Sequence, residues 1–148
     1  MLDALKEGYV IGTLIDQNSR VRDGGIFVNI FGLPVPVSRA PAMLARKSGR
    51  FIAVGTTLRD GMRFKGILRT LPKPSSEYET DEELIQAVTN VTEELIRLAP
   101  EQYLWMYKRF QYIPPETPEE IVKRFPPYAR IADERFYSKP AARKNPRG

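Results

Sequence analysis

The run "YVIGTLI", Tyr9 to Ile15, constrains this chain more than any other stretch. A strand with polar residues at alternate positions can leave one face in water. A nearly continuous apolar, β-branched run has no such face and needs cover on both sides. It therefore predicts a strand buried on both faces, as in parallel sheets, and obliges the rest of the molecule to supply neighbours. The run stops at "DQNSRVRDGG", Asp16 to Gly25, a polar loop closed by two glycines.

Further along, "IFVNIFG", Ile26 to Gly32, reads as a second β run, and the prolines of the following "LPVPVS" exclude a central strand. Ser38 reads as the N-cap of a short helix, "RAPAMLARKS", with apolar face Ala40, Met43 and Leu44 and Gly49 as its stop. "FIAVGTTL", Phe51 to Leu58, reads as another buried strand. "RDG" at 59–61 signals a turn, and "MRFKGILRTL" alternates apolar and basic residues, which predicts a hairpin with one solvated, positive face.

After the linker "LPKPSSEYET", Thr80 and Glu83 form a capping box. Leu84, Ile85, Val88, Val91, Leu95 and Ile96 then keep helical spacing, with acids at the start and Arg97 near the end to match the dipole. Pro100 interrupts, and "EQYLWMYKRF" reads as a short closing helix. On it Tyr103, Met106, Tyr107 and Phe110 share a face, a packing stripe, while Trp105 and Arg109 touch on another.

This order predicts an α/β fold, a mixed β-sheet with flanking helices. Only one helix falls between buried strands, whereas a parallel sheet needs helices on both faces. The expectation is an incomplete domain, the C-terminal part of a larger one, over residues 1–112. A Pro-rich docked extension follows at 113–137, then a disordered basic tail at 138–148 that holds Lys139, Arg143, Lys144 and Arg147. An incomplete sheet exposes an edge and an apolar face, so poor solubility, self-association or a partner covering Tyr9–Ile15 is expected.

Composition removes whole classes of chemistry. The 148 residues include no Cys and no His, so a Ser-His-Asp triad, a His-ligated zinc and a thiolate nucleophile cannot be built from this chain alone. The net charge of +5 favours acidic partners without choosing among phosphates, nucleic acid, anionic membrane or an acidic protein. No window is apolar enough to span a bilayer, so any membrane contact is expected to be peripheral.

The leading candidate site is the loop after the first apolar run. Asp16 and Gln17 fall at its end, where open α/β sheets place ligands, and Arg20 and Arg22 follow, suited to phosphate or carboxylate. The plain alternative is an ordinary polar exit from a strand. A second candidate is the hairpin set Arg59, Arg63, Lys65 and Arg69, whose alternative is a solvated face. In "PEQYLWMYKRF" the cations Lys108 and Arg109 cluster at the expected helix C-terminus, where the dipole favours them, and no nucleic-acid fold motif accompanies them.

Four stretches together resemble the bacterial lipid A biosynthesis (late) acyltransferases, within the wider glycerolipid acyltransferase group. "ALKEGYVIGTLIDQN" is similar to the family's Leu-Lys-x-Gly lead into a strand ending Asp-Gln. "GGIFVNIFGLPVPVSRAPAMLARKSG" resembles its Gly-Val-x-Val-x-Phe-Phe-Gly segment and following helix, and "RFIAVGTTLRDGMRFKGIL" the strand and hairpin after it. "PEQYLWMYKRF" resembles the most specific element, Pro-Glu-Gln-Trp/Tyr-Leu-Trp-Met-His-Arg-Arg-Phe, with Tyr107 in place of His and Lys108-Arg109 in place of Arg-Arg. The likeness covers roughly residues 1 to 112. The family's catalytic His, four residues ahead of an Asp or Glu, lies upstream of the matching region, and so does its membrane anchor.

The resemblance implies a glycerolipid-acyltransferase-like fold and transfer of a fatty acyl chain to a hydroxyl of a lipid A precursor or related anionic glycolipid. The donor is acyl carrier protein or acyl-CoA, and no cofactor or metal is involved. It places Asp16 and Gln17 on a supporting site wall. Charge and position add Arg20, Arg22, Arg59 and Arg109 as substrate-binding candidates. Without the His the chain is expected to be inactive alone, to act with a separate chain carrying the N-terminal half, or to serve as a binding module for the headgroup or carrier. The expected location is cytoplasmic, peripheral to the cytoplasmic face of the bacterial inner membrane, with no nucleic-acid partner.

Overall fold

The computed structural model describes residues 2–138. Its elements in chain order are α1 (Leu2–Lys6), β1 (Gly25–Ile30), β2 (Leu33–Ser38), α2 (Ala40–Ser48), β3 (Ala53–Asp60), β4 (Arg63–Thr70), α3 (Asp81–Arg97), β5 (Tyr112–Ile113), α4 (Glu119–Val122), β6 (Arg130–Ile131) and α5 (Glu134–Tyr137). Ser138 apart, the expected basic tail lies outside the described residues.

The centre is the antiparallel β1–β2 ribbon against α3. Val28 pairs with Val35 and Ile26 with Val37, so the alternation puts Val28, Ile30, Val35 and Val37 on one face. There they meet Leu84, Ile85 and Ile96 of α3 and Ala42 and Ala45 of α2. Leu84 and Ile85 are fully buried, each worth about 1.5–3 kcal/mol of apolar transfer. The other face of the ribbon receives the C-terminal region: the rings of Phe27 and Phe136 stand 5.7 Å apart, and Tyr112 and Phe136 4.6 Å.

α3 starts where its cap predicts. The Glu83 N–H donates to Thr80 Oγ1 at 3.0 Å, and the Glu83 carboxylate reaches back to the Glu79 N–H at 2.8 Å. α2 ends at Gly49, whose φ of 65° is the left-handed conformation a C-cap requires. Its buried residues are Ala42 and Ala45 rather than the expected Ala40, Met43 and Leu44, because the small side chains allow the close approach to α3. Arg39, not Ser38, is its N-cap, and Ser38 Oγ accepts from the Ala40 N–H at 3.3 Å.

Several expectations are corrected. Tyr9–Ile15 forms no strand, and Tyr9, Val10 and Leu14 are 66%, 94% and 80% exposed. A strand exists only through its ladder. Here β3 pairs with β4, β1 with β2, and no main-chain N–H from Val10 to Gln17 finds a main-chain acceptor among the described residues. The single mixed sheet is accordingly replaced by two antiparallel ribbons and a short parallel pair, β5–β6, within a mixed α/β arrangement with flanking helices.

"FIAVGTTL" is buried on neither face in full; β3 begins at Ala53 and alternates half-buried with exposed. "LPVPVS" does form a strand, which its prolines allow because each strand of a two-stranded ribbon is an edge. The hairpin β3–β4 forms, but its cations divide. Direct pairs share a face. Arg63, Lys65 and Arg69 oppose Asp60, Leu58 and Val54, whereas Arg59 opposes Phe64 on the other side.

The stretch 103–110 is not a helix. One 3-10 turn at Pro100–Gln102 is followed by successive turns, since Pro100 and the non-helical Ala99 redirect the chain after α3. The expected packing stripe is broken up: Tyr103 and Phe110 pack against the core, whereas Met106 is 91% exposed. Trp105 stands in edge contact with Tyr103 at 4.8 Å rather than beside Arg109, and its indole N–H donates to the Pro100 carbonyl at 2.6 Å.

Candidate functional site

The loop "IDQNS" and the turn "YKR" are far apart in sequence and joined in space. Arg109 is 4% exposed, the most deeply buried cation of the described residues. Its guanidinium donates to the carbonyl oxygens of Ile15 at 3.1 Å and Pro36 at 3.4 Å and to Asn18 Oδ1 at 3.2 Å. Asn18 completes the clasp. Its main-chain N–H donates to the Tyr107 hydroxyl at 2.9 Å, and its Nδ2 to the Lys108 carbonyl at 3.0 Å. The Ser19 N–H donates to the Pro36 carbonyl at 3.2 Å.

A planar fork of donors is suited to this role, because it can serve several oxygens at once without leaving water to finish the job. Pro36 fits it from the other side. Proline has no N–H to offer a ladder, yet its carbonyl accepts from both Ser19 and Arg109.

Asp16 and Gln17 sit on this clasped loop, and both are exposed. Asp16 lines a largely apolar cleft of about 460 Å³, together with Ile11, Leu14, Val54, Val88 and Tyr103. α3 supplies Val88, β3 supplies Val54, and the unpaired segment 11–16 completes the lining with them. Burial raises the Tyr103 pKa; the Arg109 charge opposes this and the Asp16 charge adds to it, so the hydroxyl stays neutral near pH 7. Burial pulls the Arg109 pKa down, against the influence of Tyr103, Tyr107 and Asp16.

Of the residues singled out in sequence, Asp16, Gln17 and Arg109 come together, with Arg109 beneath the loop rather than facing solvent. Arg20 is exposed at the next turn, where its carbonyl accepts from the Asp23 and Gly25 N–H groups. Arg22 stands 3.7 Å from the Asp23 carboxylate. Arg59 lies on the hairpin, its guanidinium 5.4 Å from the centre of the Phe64 ring. Its main chain is held by Gln102, which accepts from the Arg59 N–H at 2.7 Å and donates to its carbonyl at 3.1 Å. Sequence reasoning gave no role to Asn18 or Gln102, and it marked Tyr103 for packing alone. Asn18 closes the quoted run "LIDQN", but nothing in its neighbours announces a partner some 90 residues away.

Among the described residues no group of three or more acidic side chains could hold a metal ion, and no helix is long and apolar enough to cross a membrane.

The sequence pattern described as "Bacterial lipid A biosynthesis acyltransferase" matches residues 1–112. The chain is 34% identical over 122 residues to the lipid A biosynthesis lauroyltransferase of Escherichia coli, covering 80% of this chain and 39% of that protein. It is 31% identical over 116 residues to the lipid A biosynthesis palmitoleoyltransferase of the same organism, covering 77% and 37% respectively. A lipid A biosynthesis acyltransferase of Shigella flexneri matches to the same extent, 31% over 116 residues. The chain thus spans less than two-fifths of the length of these relatives.

Proposed function

The chain belongs to the bacterial lipid A biosynthesis acyltransferase family, and from that premise we propose that it supplies the C-terminal wall of a glycerolipid-acyltransferase-like site. The reaction it serves moves a fatty acyl chain from an acyl-carrier or acyl-CoA thioester to a hydroxyl of an anionic lipid A precursor. The observation that carries the proposal is the clasped loop: Arg109, Asn18 and Tyr107 hold the loop whose Asp16 lines an apolar cleft. An apolar cleft beside a fixed polar edge suits a substrate that is part chain and part headgroup.

In that reaction the hydroxyl oxygen attacks the thioester carbonyl, the C–S bond breaks, and the thiol leaves. The hydroxyl proton must pass to a base, because a hydroxyl with a pKa far above 7 is a poor nucleophile. This chain contains no His to take it. We therefore assign the base to residues outside these 148, and give this chain three tasks. Asp16 and Gln17 line the site, Arg20, Arg22 and Arg59 meet the phosphates of the acceptor, and Arg109 holds the loop in place. The work is done at the cytoplasmic face of the membrane, by peripheral contact.

The test is acyl transfer from an acyl-carrier thioester to a lipid A precursor. The purified chain alone is expected to show none, and a second chain bearing a His and an Asp or Glu four residues apart is expected to restore it. Turnover by the 148 residues alone would refute the assignment of the base. A second reading, favoured by the same lack of His, is a module that binds headgroup or carrier without chemistry. It is the one left standing if binding persists and no added chain restores turnover.

A further inference from the structure

The hairpin β3–β4 carries Met62, Phe64, Leu68, Arg63 and Lys65, which the proposed site does not use. Asp60 pairs with Arg63, so the loop is two residues, Gly61 and Met62. Gly61 takes φ 58°, which glycine adopts at little cost in so tight a turn. At the tip Met62 is 99% exposed, and Phe64 and Leu68 on one face are 66% and 72% exposed. Gly66 lies between them on the strand and Gly55 faces Leu68 across the ribbon, so neither position adds a side chain to cover the two apolar groups. Arg59 stands over Phe64, and Arg63 and Lys65 flank it on the opposite face. Asp60 is the one acid of the tip, against Arg59, Arg63 and Lys65.

We propose that this hairpin tip docks on an anionic lipid surface, with Met62 and Phe64 entering the headgroup layer and Arg63 and Lys65 meeting lipid phosphates. The charge complementarity and the apolar apex select this occupant together. A membrane interface uses both: apolar side chains enter the headgroup boundary, and each basic residue adds attraction to the negative surface. The rigid attachment suits the task, since Gln102 bonds both main-chain groups of Arg59 and anchors the outer edge of the hairpin near its tip. The inference builds on the peripheral membrane location proposed above, but is read without any turnover, so failure of the acyl-transfer proposal and failure of this one are separate results.

The test is co-sedimentation of the full chain with phosphatidylcholine vesicles, with and without about 30% phosphatidylglycerol. The chain is expected to bind the anionic vesicles, less so as salt rises. The double variant Met62→Ser/Phe64→Ser, which keeps every charge, should weaken binding at least about tenfold, and Arg63→Glu/Lys65→Glu should weaken it as strongly. A Met62→Trp variant should shift its emission to the blue on adding anionic vesicles, relative to the parent, which reports insertion in a chain whose fold is unchanged. Equal vesicle binding by the serine variant and the parent, absence of binding by the parent, or no shift of the tryptophan would each overturn the proposal. So would binding of acyl carrier protein that the glutamate variant loses and the serine variant keeps, if vesicles are not bound.

Discussion

The guanidinium of Arg109 donates to the carbonyl oxygen of Ile15 at 3.1 Å, across 94 residues of sequence, and ties the "YKR" turn to the loop bearing Asp16 and Gln17. Replacing it takes a donor from three oxygens, of which that of Pro36 keeps the Ser19 N–H. Arg109→Ala is expected to destabilise the protein by about 3 kcal/mol. Arg109→Lys should recover little of this, since a single ammonium nitrogen cannot reach oxygens that the guanidinium meets through two separate nitrogens. Urea denaturation gives the stability, and hydrogen exchange of the Asn18 amide should quicken in both variants.

Glu93 makes stability depend on pH in the acid range. Burial alone would raise its pKa, but the Arg97 guanidinium and the Phe31 N–H, bonded to it at 2.7 and 2.6 Å, outweigh burial and lower it from the usual 4.5. A carboxyl whose folded pKa lies below its unfolded value contributes fully above the unfolded value, and the contribution fades as pH falls through the folded one. Glu93→Gln should therefore cost stability at pH 7 and flatten the acid limb below about pH 4.5. Thermal melts of both proteins between pH 7 and pH 3 decide it.

Phe31 occupies the left-handed region, with φ 51°, in the two-residue loop between β1 and β2. Its ring stands 6.0 Å from that of Trp105 and 5.0 Å from the Arg97 guanidinium, contacts that hold it there. Phe31→Ala loses the ring and keeps the strained backbone. Phe31→Gly loses the ring and relieves the strain, so it should be more stable than the alanine variant by about 1 kcal/mol. The order of the two denaturation midpoints is the measurement, and the reverse order would contradict the strain.

Thr80 caps α3 through a hydrogen bond of 3.0 Å from the Glu83 N–H. Thr80→Ala should cost about 1 kcal/mol, and Thr80→Gly somewhat less. Thermal denaturation followed by circular dichroism reads it directly, as α3 is the longest helix among the described residues.

Val10 and Leu14 are exposed and unpaired, an apolar strip with no cover among the described residues. Val10→Ser with Leu14→Ser should reduce self-association in sizing experiments while shifting stability by less than about 0.5 kcal/mol. A large loss of stability would mean the strip is buried against something in the folded protein.

Local chemistry was legible in the residues themselves. The Thr80–Glu83 box, the six apolar positions of α3, the Gly49 stop and the Gly61 hairpin turn all depend on groups a few residues apart, and the structure has them where the spacing put them. Membership of the family was legible for the same reason, because "LIDQN" and "PEQYLWMYKRF" are contiguous patterns.

Tertiary structure decided what depends on partners distant in sequence. "YVIGTLI" has the composition of a buried strand, but a strand is made by its neighbours, and none pairs with it here. "YLWMYKRF" has helical spacing, but Pro100 turns the chain and Arg109 is drawn under the loop by Ile15, Asn18 and Pro36. Sequence by itself determined which residues are available for the site and that a histidine is not among them. Only the fold decided that Arg109, read as a cation for substrate, faces inward. A guanidinium with three protein oxygens within reach and almost no water around it satisfies its donors there, and no local rule of spacing could announce those oxygens.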